Sequence, residues 1–326
     1  MSKTLLPRIP DEPRARRSLI GEREGASLEK HRAAGLGGPF ATDFVHAPHR
    51  LVIHHFSVDV EEYFNFLGFE RRVPMPEWDR LESRVEASVD DLLSELSSVG
   101  STGTFFTLGW IAERHPQMVR RIAAEGHEVA SHGYSHRRVV ELAPEEFRHE
   151  IQKTKRILED LIGKAVKGFR APHFSILPGC EWALDILIEE GYEYDSSLFP
   201  IKRKGYGYPD GQRDPHWIER PAGRLAEVPP ATLRFGSTNV AAGGGAWFRI
   251  FPYGFVRKAL RDCERRSVPG TFYLHPWEID PGQPQLEAPR ADRLKHYMGI
   301  SRARGRLRRL FSEFRFRPIA ATVEAL

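Results

Sequence analysis

The chain has 326 residues, 40% of them hydrophobic and 11% aromatic, which is enough for a sizeable core and excludes wholesale disorder. Its 48 Lys and Arg against 44 Asp and Glu leave a net charge of +4. That is small for this length and lacks the interleaving of basic and aromatic residues expected of a nucleic-acid enzyme. No stretch approaches the roughly 20 apolar residues of a membrane helix. Cys180 and Cys263 are the two cysteines; they give neither a disulfide framework nor CxxC ligation, and both are expected as buried thiols in a reducing compartment.

Residues 1–50 are rich in Arg, Glu, Gly, Pro and Ala without a lasting period, which predicts a disordered basic arm. Arg16-Arg17 is not followed by the apolar segment of an export signal, so a cytoplasmic location is expected. A single domain is expected over residues 51–326. Leu51 to Val58 is an apolar, β-branched run ending in Asp59, Glu61 and Glu62, a buried strand with carboxylates at its C-terminal end. Val85, Val89, Leu92, Leu93 and Leu96 recur at helical spacing and predict a helix over 85–99, stopped at Gly100. A strand is predicted over 102–108, a helix over 116–124, and a strand over 127–130 leading to His132. The rhythm continues with a helix over 144–161, a strand over 165–169, a helix over 180–190 and a strand over 192–195. A helix over 255–266 and a strand over 271–274, running into His275, complete it. This alternation argues for an α/β fold with a parallel sheet covered by helices.

Residues 199–217 and 241–247 break the rhythm and are expected as functional or mobile loops. Gly243-Gly244-Gly245 lacks the strand and GxGxxG context of a nucleotide site. Leu307, Leu310, Phe311 and Phe314 predict a last helix with a solvated basic face. Asp59 and Glu61, His132 and His136, Arg170, Asp195 and His275 each follow a predicted strand. In a closed β/α barrel such residues converge on one mouth, whereas an open sheet would spread them along an edge.

On a turn of helix, His132 and His136 would share a face and could bind one metal ion. A carboxylate added to two histidines leaves positions open for water and substrate. Asp59 and Glu61 are two residues apart and share a strand face, so one can reach a metal while the other takes a proton. His115 and His127 lack this context and are expected at the surface.

Asp59-Val-Glu61, His132-x-x-x-His136, Arg170-Ala-Pro172, Asp195-Ser-Ser and Leu274-His275 resemble, in this order, the motifs of the polysaccharide deacetylases (carbohydrate esterase family 4). Ser57-Val-Asp-Val-Glu-Glu-Tyr-Phe64 and His275-Pro-Trp-Glu-Ile-Asp280 resemble the subgroup of exopolysaccharide-synthesis loci. The resemblance spans about residues 53–316. It implies a distorted (β/α) barrel, expected with seven strands, and metal-dependent removal of N-acetyl groups from an N-acetylated polysaccharide or oligosaccharide. By position it implies Asp59 as general base, Glu61, His132 and His136 as metal ligands, and Arg170 as the group orienting the base. His275 is implied as general acid with Asp195 as its carboxylate partner.

The family's first motif commonly has two adjacent aspartates, so Glu61 is aligned with the metal carboxylate and Glu62 is the alternative. His173 stands where Tyr is frequent, and its backbone N–H is suited to an oxyanion. Trp277 is the expected sugar-stacking residue; Trp78, Trp110, Trp217 and Trp247 are expected to pack in the core or at its rim. Zn²⁺ is the simplest cation for such a site. Alternatives are a hydrolase of small non-peptide amides on the same fold and a non-catalytic glycan-binding protein. A two-His-one-carboxylate iron oxygenase is disfavoured by the helical periods.

Overall fold

The computed structural model describes residues 51–326 apart from Arg71 and Lys204; the arm expected over residues 1–50 lies outside them. The apolar run after Leu51 forms β1 (His54–Val60), buried throughout. There follow α1 (Val85–Ser97), β2 (Thr104–Thr107), α2 (Gly109–Arg114), α3 (Pro116–Ala124), β3 (Glu128–Ser131) and α4 (Pro144–Ile162). Pro116 and Pro144 open α3 and α4, where a missing N–H costs nothing and the fixed φ suits a first turn. Gly163, at φ 65°, ends α4 in the left-handed region. Next come β4 (Gly168–Phe169), α5 (Trp182–Glu189) and β5 (Tyr194–Asp195).

After β5 the expectations are thinner. β6 (His216–Arg220) and β7 (Gly223–Glu227) pair antiparallel, as do β8 (Thr232–Phe235) and β9 (Thr238–Ala241). β6 is half-exposed along its length, so its sequence shows no inside–outside alternation. The last elements are α6 (Gly245–Ile250), α7 (Gly254–Arg265), β10 (Thr271–Leu274), α8 (Arg290–Tyr297), α9 (Ile300–Glu313), β11 (Phe316–Arg317) and α10 (Ala320–Val323). Among the described residues no helix is long and apolar enough to cross a membrane.

Among the described residues nine strands form the main sheet in the order β10–β1–β2–β3–β4–β5–β7–β6, with β11 also pairing with β1. Seven of them, β10 through β7, make a continuous parallel path. Beyond β7 the chain meets the far edge: Pro230 bridges Thr271 and Gly244 bridges Tyr273. Phe56, Val58 and Val60 of β1 join the main core. The alternate residues Ser57 and Asp59 face the other side, where Phe106, Ala130, Tyr194 and Ala226 build a second apolar cluster. Both faces of the sheet are therefore buried, as continuous apolar strands require.

The triple glycine serves packing. A Cβ on Gly244 would lie 1.7 Å from the Tyr273 carbonyl oxygen, and Gly244 sits at φ 143°. Gly244→Ala is expected to lower stability by more than about 2 kcal/mol in urea unfolding, since β10 backbone must move to admit it. A midpoint equal to that of the parent would show that the two segments are not pressed together.

Four surface expectations change. The basic residues of α9 are not simply solvated: Arg304 pairs with Asp91 and Glu95, and Arg308 with Glu95. Arg306 caps the end of α6 by donating to the carbonyls of Phe248, Arg249 and Phe251 at 2.6–2.9 Å. His127 is buried and accepts the Gly103 N–H through Nδ1, and His115 is half-buried between Ser83 and Glu86. Cys263 is a buried free thiol whose pKa burial pushes up to about 12, whereas Cys180 is half-buried.

Candidate active site

The C-terminal ends of the parallel strands carry the polar residues. Asp59 lies in β1 and Glu61 just beyond it, His132 follows β3, Arg170 follows β4, and His275 follows β10. Asp59, Glu61, His132, His136 and Arg170 are at most 3% exposed. Glu61 Oε2 is 2.6 Å from His136 Nε2 and 3.9 Å from His132 Nε2. His132 donates its Nδ1–H to the Arg170 carbonyl at 2.8 Å, which fixes the tautomer and leaves the Nε2 lone pair facing the carboxylate.

His132 to His136 is an irregular loop rather than the helical turn expected from the spacing. Gly133 at φ 74° and His136 at φ 59° bend the backbone so that both rings turn inward. The loop is held by Glu150, which accepts the N–H groups of Tyr134 and Ser135 at 2.9 Å.

Asp59 and His275 lie together beside this group. Arg170 donates from NH1 to Asp59 Oδ1 at 2.7 Å and to Ser57 Oγ at 2.9 Å. Its remaining groups bond to Ser196, and its guanidinium lies 4.1 Å over the Phe106 ring. His275 Nε2 is 3.5 Å from Glu61 Oε1 and 3.9 Å from Asp59 Oδ2. Glu62 turns away: its carboxylate accepts the backbone N–H groups of Arg84 and Val85 at the start of α1. Glu61, not Glu62, is thus the carboxylate beside the histidines.

The expected pairing of Asp195 with His275 does not form. His275 Nδ1 meets Glu278 Oε2 at 3.0 Å, and Glu278 is in turn bound by the buried Arg249 at 2.5 Å. Burial works against a charged His275, but the carboxylates of Glu61, Glu278 and Asp59 outweigh it and raise its pKa to about 9. Burial holds His132 neutral, lowering its pKa to about 4. For Glu61, burial is outweighed by the imidazoles of His275 and His136, so it stays ionised, well below the usual carboxylate range.

Trp277 offers no free ring face for sugar stacking. It is 3% exposed, sandwiched between His275 and His296 at centroid distances of 5.0 and 4.3 Å, and it donates its indole N–H to Glu61 Oε1. His173, at φ 56°, directs Nε2 to Glu70 rather than standing free. Glu278 and Arg249 were not singled out from the sequence. Glu278 was legible: it stands three residues after His275 and accepts the His275 backbone N–H at 3.0 Å, the reciprocal contact of a capping box.

Asp195 has another setting. It lies opposite Glu227 in the β5–β7 register, and Ser197 Oγ donates to it at 2.5 Å. Burial, reinforced by the neighbouring carboxyl, pushes Glu227 well above the usual range, and burial raises Asp195 as well. A carboxyl whose folded pKa exceeds its unfolded value holds its proton more tightly when folded. Its stabilising contribution is therefore greatest below about pH 4 and is lost as pH rises through the raised value. Glu227→Gln is expected to gain melting temperature relative to the parent as pH rises from about 4, the ordinary carboxylate range, through the raised value; parallel curves would contradict a proton held by this buried pair.

Above the site a cavity of about 160 Å³ is walled by Glu61, Phe174, His275 and Trp277, among others. It shares Phe66, Leu67, Tyr206 and Trp247 with a larger cavity of about 640 Å³. Three donors, Glu61, His132 and His136, lie within 4.8 Å of one another. Their chemistry fits a divalent cation: one ionised carboxylate, one neutral imidazole with a committed tautomer, and one buried imidazole whose nitrogens lack hydrogen-bond partners among the described residues.

Residues 78–184 match the family model described as polysaccharide deacetylase. The similarity is to polysaccharide deacetylases. Residues 196–324 match a domain of unknown function, DUF3473. The deacetylase match contains His132, His136, Arg170 and His173, the second match contains His275 and Glu278, and Asp59 and Glu61 lie outside both. A peptidoglycan-N-acetylglucosamine deacetylase of Bacillus cereus is 40% identical over 95 residues, 29% of this chain and 34% of that protein. The chain spans about a third of the length of the curated relatives it matches. A crystal structure described as a putative polysaccharide deacetylase from Mycobacterium smegmatis has a TM-score of 0.59 at 21% identity, covering 84% of this chain and 89% of that one. A likeness at this identity concerns the fold.

Proposed function

We propose that the chain is a metal-dependent hydrolase that removes N-acetyl groups from an N-acetylated glycan. The observation that carries this reading is the convergence of Glu61, His132 and His136, with His275 Nε2 3.5 Å from Glu61 and 3.9 Å from the Asp59 oxygen that Arg170 does not hold. The deacetylase match over residues 78–184 supports the same chemistry. The resemblance of Ser57–Phe64 and His275–Asp280 to the exopolysaccharide subgroup favours an exopolysaccharide precursor as substrate. The bridges from Pro230 and Gly244 to β10 support reading the seven parallel strands as a distorted barrel.

Glu61, His132 and His136 would hold the cation, most simply Zn²⁺, which when bound polarises an amide carbonyl and brings the pKa of water towards about 7. Asp59 takes the proton of the attacking water on Oδ2, because Oδ1 is held by Arg170. Arg170 acts only by fixing the rotamer of that base. His275 gives its Nε2 proton to the departing amine, which leaves poorly unless protonated. Glu278 holds Nδ1–H, so the ring delivers its proton from the correct nitrogen. A cation at Glu61 offsets that carboxylate's pull on His275, and Glu278, which is not a ligand, sustains the protonated ring. Trp247, half-buried and shared by both cavities, is placed to contact an adjoining sugar, the role expected of Trp277.

The test is acetate release from chitooligosaccharides and from N-acetylated exopolysaccharide fragments, before and after removal of metal by a chelator. Release that stops with chelation and returns with Zn²⁺ is expected. A metal-replete protein that frees no acetate from any of these would overturn the reading.

A further inference from the structure

Among the described residues neither ring nitrogen of His136 makes a hydrogen bond of good geometry, although Nε2 lies 2.6 Å from Glu61 Oε2 and the side chain is only 2% exposed. A buried imidazole in that state costs free energy unless each nitrogen has something to bind. Nε2 faces Glu61, the cluster already described. Nδ1, on the other side of the ring, is 3.9 Å from Glu70 Oε1, too long for a hydrogen bond. The far nitrogen of a ligating histidine ordinarily donates to a carboxylate, a backbone carbonyl or water. His132 does so through the Arg170 carbonyl; among the described residues His136 has no such partner.

Glu70 instead meets Nε2 of His173, whose ring lies 4.4 Å from that of His136 at 74°. Glu70, His136 and His173 each offer a ligand atom within 4.8 Å of the others. His136 and His173 both sit at positive φ, 59° and 56°, a conformation that costs a non-glycine residue about 1–3 kcal/mol and persists where the surroundings enforce it. The side chains of Glu70 and His173 are 30% and 15% exposed, so an ion can reach them from solvent.

We infer that Glu70, His136 and His173 hold a second divalent cation, bridged through the His136 ring to the cation of Glu61, His132 and His136. Each ring nitrogen gives its lone pair to one ion, and the single ring proton leaves to solvent. Glu61, Glu70 and the deprotonated ring supply three negative charges, and Asp59 stands nearby as a fourth. Nitrogen and carboxylate donors in this ratio suit zinc or cobalt. The second site shares His136 with the proposed hydrolase site and rests on that reading for the first cation.

The full chain, stripped with a chelator, reloaded with Co²⁺ or Zn²⁺ and freed of excess ion by gel filtration, is expected to carry two ions. Cobalt absorption should rise until two equivalents are added. Glu70→Gln and His173→Gln are each expected to carry one ion, and His132→Gln to lose the other. The count on the parent chain does not depend on how the variants fold. One ion in the parent chain, with acetate release intact, overturns the second site and leaves the hydrolase standing. No ion in the parent chain overturns both. Two ions retained in both Glu70→Gln and His173→Gln also overturn the second site.

Discussion

Asp59→Asn is expected to keep its bound metal and lose turnover by about a thousandfold, the contribution typical of a positioned general base. Asn has the shape of Asp, so Arg170 can still donate to its Oδ1, and the atoms of Glu61, His132 and His136 are untouched. What disappears is the acceptor at Oδ2, the oxygen that Arg170 leaves free. The loss should fall on kcat with little change in KM, because the interaction removed operates in the transition state. His132→Ala supplies the contrast: a proposed ligand is removed, and both metal and turnover should go. Metal analysis and acetate release on the two variants separate the roles. Turnover of Asp59→Asn within about tenfold of the parent would remove Asp59 as base.

The positions of these groups were legible in the sequence because parallel strands place polar residues at their C-terminal ends. β1 and β10 are short apolar runs that stop at Asp59 and His275, and Pro116 and Pro144 mark the starts of their helices. The partners of those groups were harder to read. Asp195 stands at a strand end like the others, and only the β5–β7 register shows that it faces Glu227 instead of His275. The His132–His136 spacing fits a helical turn, but Gly133 and a positive φ at His136 give an irregular loop with the same outcome for the rings. β6 through β9 were missed for a physical reason: β6 and β9 are largely half-exposed, β7 and β8 are buried at one end only, and none carries an alternating burial period. Trp277 was placed by proximity in sequence, and its burial behind His275 depends on His296 from a distant helix.

The support behind His275 carries the other large effect. Arg249 is fully buried and binds Glu278 Oε1 at 2.5 Å and the carbonyls of His296 and Met298 at 2.7 Å. Arg249→Met removes the guanidinium and leaves the Glu278 carboxylate enclosed with His275 as its one charged partner. Breaking one half of a buried ion pair in this way is expected to cost about 3–5 kcal/mol in urea unfolding. Turnover should fall as well, because Glu278 holds Nδ1 of His275, the proposed acid. Arg249→Met combined with Glu278→Gln tests the cause. If the loss comes from an uncompensated charge, the double variant recovers a large part of the stability, since the pair is coupled and the two costs do not add. Activity should not recover, because the Glu278→Gln change deprives His275 of its carboxylate partner. A single variant within about 1 kcal/mol of the parent, or a double variant whose losses simply sum, would show that Arg249 does not act by compensating the Glu278 charge.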